Sequence, residues 1–171
     1  MPKGVTITSG IITISGQTPE LILNTFAEEE VPLSLDILNR EVLLIYAVDM
    51  NVSAPDAIAA TNTGVHASLS STSRTTVGDI NNTNVFAVGK DLIRAAGFAD
   101  AGVLISTVSP ETPTANALDY VGIVSTNDFF VQVIGQNNVS LASVNWRVWC
   151  ARARVTADIY AALVQGEALS A

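Results

Sequence analysis

The chain has 171 residues, 49% hydrophobic and only 14% charged, with 16 Asp and Glu against 8 Lys and Arg. That length suits one self-supporting domain. A formal charge of -8 argues against a surface built to hold nucleic acid by phosphate neutralisation, and a single cysteine and single histidine exclude an internal disulfide and a zinc site made within one chain.

From the amino end, Met1 to Thr8 lacks the basic segment and apolar block of a signal peptide. Val5, Ile7 and Ile11 to Ile14 surround Ser9-Gly10 and predict two short β segments. Val31, Leu33, Leu35 and Ile37 alternate with more polar residues, a period of two that predicts a strand whose start, at Pro32, lies on an edge or bulge. Glu28-Glu29-Glu30 just before it reads as a solvated loop or as an edge that repels strand pairing. Val42 to Val48 is apolar on both faces and predicts a strand in the middle of a sandwich or under a neighbouring subunit. It falls far short of the roughly 20 residues of a membrane helix.

From Asn51 to Gly64 the composition turns to Asn, Ser, Thr, Ala and Pro, a surface excursion with a helical turn at Asp56 to Ala60. Val65, Ala67 and Leu69 form one face of the next strand, Asn84 to Val88 another, and Lys90 to Ala96 reads as a short helix ended by Gly97. Strands follow at Val103 to Val108, stopped by Pro110 and Pro113, then at Tyr120 to Val124 and Phe129 to Ile134. Val144 to Val155 is long enough to cross a whole sheet. Its inward face is Val144, Trp146, Val148 and Cys150, and Arg152 and Arg154 continue that face toward water. Thr156 caps a helix over 156–166 with Asp158 in its first turn and Gly166 at its end, and Ile159, Leu163 and Tyr160 form its apolar stripe.

Eight to ten short β runs, with helix confined to loops and the carboxyl end, predict an all-β fold: an antiparallel sandwich or barrel of jelly-roll type. It occupies residues 1–171 as one domain, and residues 1–30 form an extended segment able to contact partners. Groups for proton transfer are scarce. His66 reads as a solvent or interface imidazole, and Cys150 as an inert core thiol. Glu28 to Glu30, or Asp79 with Asn81 and Asn82, are the calcium candidates, and neither resembles an EF-hand loop. No Walker or dinucleotide glycine pattern occurs. The chain therefore reads as no enzyme, with no catalytic, cofactor or metal residues.

The order of β runs, the Thr/Asn/Ser-rich connections at Asn51 to Gly64 and Ser70 to Asn84, and the long strand Val144 to Val155 followed by a helix from Thr156 resemble one family. It is that of the single jelly-roll coat proteins of tailless icosahedral viruses, especially the small major capsid proteins of the sphaerolipovirus and matsushitavirus type that surround an inner membrane. The resemblance implies a structural subunit that self-assembles into capsomers and a virion shell. Its implied partners are other copies of itself, a second capsid protein, and an internal membrane or its proteins, with no direct contact to nucleic acid. Ile159, Tyr160, Leu163, Arg152 and Arg154 are the candidate residues of the interface between copies. The alternative is a β-sandwich binding module, a spike, adhesin or lectin-like domain whose polar loops recognise a sugar.

Overall fold

Ten strands and one helix are present in the computed structural model, which describes residues 3–97, 104–108 and 119–170. The predicted strand ends at Val103, Pro110 and Pro113 lie outside the described residues. One sheet contains β1 (Val5–Ile7), β2 (Ile12–Pro19), β4 (Glu41–Val52), β8 (Gly122–Val124) and β10 (Ser143–Val155). The other contains β3 (Ala27–Pro32), β5 (Thr63–Ser70), β6 (Val85–Arg94), β7 (Leu104–Val108) and β9 (Asp128–Gln136).

The register explains the topology. β2 pairs with β10, β3 with β9, β4 with β8 and β5 with β6, all antiparallel, so the chain folds back on itself as one long ribbon. Pairing of β10 with β4 and of β5 with β9 winds that ribbon into two facing sheets, of order β2-β10-β4-β8 and β3-β9-β5-β6. This is the jelly-roll arrangement. β1 extends the first sheet beside the end of β10, and β7 adds an edge strand to the second.

Between the sheets lie Leu43, Ile45, Val65, Leu69, Val131, Val133, Val144 and Val148, with Phe129 set edge-on against Trp146 at 5.6 Å. The apolar character of both faces of β4 has a direct cause. Leu43 and Ile45 point between the sheets, whereas Val42 and Leu44 point outward, join Ala153 and Val155, and are covered by α1 (Ala157–Ser170) through Ile159, Tyr160 and Leu163. The small Ala153 side chain leaves room for that helix. One β-bulge, where the register shifts between Trp149 and Cys150, lies in the same strand pair.

Several expectations are corrected. Lys90 to Arg94 is not helical: β6 continues through it, because β5 and β7 both pair there. The strand expected from Val31 to Ile37 instead ends at Pro32; Leu33 and Leu35 are buried in the following loop, their N–H groups donating to the backbone and side-chain oxygens of Asn127, and Ile37 to Asn39 form a 3-10 turn. Asp56 to Ala60 forms no helix. The carboxyl helix continues past Gly166 to Ser170, and the acidic Glu167 side chain is buried beneath it.

Candidate functional site

The register brings Pro19, Ala27, Val52, Thr63, Gln136 and Ser143 to the same end of the sandwich. Loops 20–26, 53–62 and 137–142 therefore emerge side by side. Polar side chains fasten them to one another. Buried Glu20 accepts hydrogen bonds from the Gly135 N–H at 2.6 Å and the Ala142 N–H at 2.8 Å, tying the first loop to the last. Gly135 permits this approach, since a Cβ there would meet the Asn138 amide at 2.9 Å and the Glu20 carboxylate at 3.1 Å.

The Asn24 side chain donates to the Asn138 carbonyl and accepts from the Asn138 N–H, both at 2.9 Å. Asn138 also donates to the Gly64 carbonyl and accepts from the Asp56 N–H. Asp56 in turn accepts from the N–H groups of Val139 and Ser140, and Asn62 accepts from those of Ala95 and Ala96. Asn24 and Asn137 take left-handed backbone conformations, with φ of 53° and 54°, which asparagine tolerates better than most residues.

Upon this braced frame the large aliphatic side chains face water. Leu21 is 84% exposed and Val139 72%, and Ile22, Leu23 and Leu141 are exposed beside them. None of the three loops contains Lys or Arg, and both of their acids, Glu20 and Asp56, are turned inward on backbone N–H groups. These three loops thus form an apolar crown without free charge. Such a surface loses little on desolvation and gains about 25 cal/mol for each Å² of apolar area covered. Exposed aliphatics recur at the opposite end, at Ile11 and Leu38.

The residues singled out from sequence lie elsewhere. Ile159, Tyr160 and Leu163 pack on the chain's own first sheet, and Tyr160 also donates to the Ser125 carbonyl. Arg152 donates to Glu41 at 2.9 Å and to the carbonyls of Leu33 and Ser34, while Arg154 is exposed nearby. The sequence carries one signal for the crown: Leu21-Ile22-Leu23 is an aliphatic triplet in a segment bounded by Pro19 and Asn24, where a turn is expected.

The candidate ion and proton groups are otherwise engaged. Glu28 accepts from Ser73, the Arg74 N–H and the buried Gln132 amide, pinning loop 71–84 over the second sheet, and Glu29 holds Thr18. Asp79 pairs with Lys90 at 2.8 Å. Among the described residues no group of three metal-binding side chains converges. The Cys150 thiol is buried and pushed up to about 11 by desolvation, against a smaller opposing effect of Arg152. His66, expected to face solvent or an interface, has its Nε2 buried without a hydrogen-bond partner, and burial first, then Lys90, lowers its pKa. No helix among the described residues is long and apolar enough to cross a membrane.

No protein-family model matches the chain, and no curated protein matches it. Among solved structures, a chain described as Desmodium yellow mottle tymovirus is similar over 92% of this chain and 95% of its own, at 11% sequence identity and a TM-score of 0.31.

Proposed function

We propose that this chain is a structural subunit of the capsid of a tailless icosahedral virus, assembling with other copies of itself into the virion shell. The observation that carries the reading is the crown. Five large aliphatic side chains are held in water by a rigid, internally satisfied polar frame, a costly arrangement for a solitary molecule and a suitable one for a subunit covered by neighbours. The jelly-roll strand order supports it, since that architecture offers two loop-bearing ends and two flanks for lattice contacts. So does the low charge content of the chain. In this reading the exposed Arg154 and the outer face of the carboxyl helix serve contacts at the other end, and a second capsid protein or an internal membrane are further partners.

The test is assembly. Sedimentation velocity and negative-stain electron microscopy of the full chain over a dilution series should show concentration-dependent oligomers that build regular capsomers or shells. Replacing two apolar anchors, L21S with V139S, should weaken association by roughly 100-fold, since each buried anchor contributes on the order of 1–3 kcal/mol. A chain that stays monomeric across salt conditions and binds defined glycans on an array would overturn the proposal in favour of a carbohydrate-binding module.

A further inference from the structure

The four sheet edges are not treated alike. β8 is only three residues long. β3 carries Glu28, Glu29 and Glu30 and ends in Pro32, which deter a foreign strand by charge and by a missing donor. β2 contains Gly16, ends at Pro19, and lies beside β3 across the flank of the sandwich, where Thr18 donates to Glu29. β7 has none of these devices. Its sequence Leu104-Ile105-Ser106-Thr107-Val108 lacks charge, proline and glycine, all five residues are exposed, and among the described residues no strand pairs with its outer edge.

Resting on the coat-subunit reading, we propose that β7 pairs antiparallel with β7 of a second copy about a two-fold axis at Ser106, joining two five-stranded sheets into one continuous sheet. The strand is complementary to itself in that register. Leu104 of each copy faces Val108 of the other, Ile105 faces Thr107, and Ser106 faces Ser106, so apolar and β-branched side chains meet on both faces. Charge beside the strand does not oppose it: the chain as a whole is acidic, but on the adjoining β6 Lys90 is paired with Asp79 and Arg94 offsets Asp91, so β7 lies beside no net charge.

The register makes the test specific. Opposed residues of antiparallel strands have Cα atoms about 4.5–5.5 Å apart, within disulfide range. Under mild oxidation S106C should give a covalent dimer. I105C, opposed to Thr107, should not, nor should the wild type, whose Cys150 is buried. I105K, at an exposed position, should keep the melting temperature yet raise the dimer dissociation constant by at least about tenfold. Failure of S106C to cross-link, or an I105K chain with unaltered association, would overturn the pairing. The two proposals fail separately: cross-linked dimers that never build shells defeat the coat reading, whereas shells that form normally from I105K defeat the pairing alone.

Discussion

Glu20 and Glu167 are both buried carboxylates, and their surroundings set different tasks. Glu20 joins two loops through two backbone donors, so E20A leaves the N–H groups of Gly135 and Ala142 without acceptors. The expected cost is about 3 kcal/mol, read by calorimetry as a melting temperature lower by roughly 6–12 °C. Glu167 accepts from the Ser125 N–H at 3.1 Å and its hydroxyl at 2.7 Å, fixing the helix to the turn before β9. Burial pushes its pKa above the usual carboxylate range, against those Ser125 bonds. The folded state thus holds this proton more tightly than the unfolded chain does. Its contribution to stability is present at low pH and is lost as pH rises from the ordinary glutamate value through the raised one. Asp36 and Asp79 have lowered values and act oppositely, losing stability as pH falls, but both are exposed and contribute weakly. Melting temperatures measured across this range should show the wild type gaining on E167Q as pH falls. At this scale the sequence is silent about braces: only the fold shows the Asn138 amide turned inward on the Gly64 carbonyl.

The strands are legible where apolar and polar residues strictly alternate, as in Val65-Ala67-Leu69 and Val144-Trp146-Val148, because period two is the signature of a half-buried sheet. Lys90 to Ala96 misled because Leu92 and Ile93 beside charged residues followed by Gly97 imitate a short amphipathic helix, whereas partners on both sides pull the segment into β6. The Glu28 to Glu30 run forms a strand despite poor intrinsic preference, since Ala27, Glu29 and Val31 lie opposite Val133, Val131 and Phe129. Gly166 resembles a helix stop by residue type alone, but Glu167 reaching Ser125 carries the helix past it. A Cβ at Gly166 would meet nothing, so G166A should stabilise the protein by about 0.5–1 kcal/mol, measurable as a raised denaturant midpoint with an unchanged slope.

At the scale of the whole molecule, the jelly-roll class follows from the spacing of β runs, but the crown does not, since it requires loops far apart in sequence to meet at one end. Copies carrying a net charge of -8 repel one another, and added salt screens that repulsion while leaving apolar contacts intact. Association measured by sedimentation should therefore strengthen as sodium chloride rises, the opposite of the response expected for a phosphate-binding surface. The two tryptophans offer a ready means of following such events. Trp146 is enclosed between the sheets, whereas Trp149 is half-buried on the outer face with the Arg147 guanidinium 5.8 Å from its ring centre. One indole thus emits from a dry interior and the other from a site open to acrylamide, so that quenching and spectral shift distinguish loss of the core from covering of the flank without any attached label.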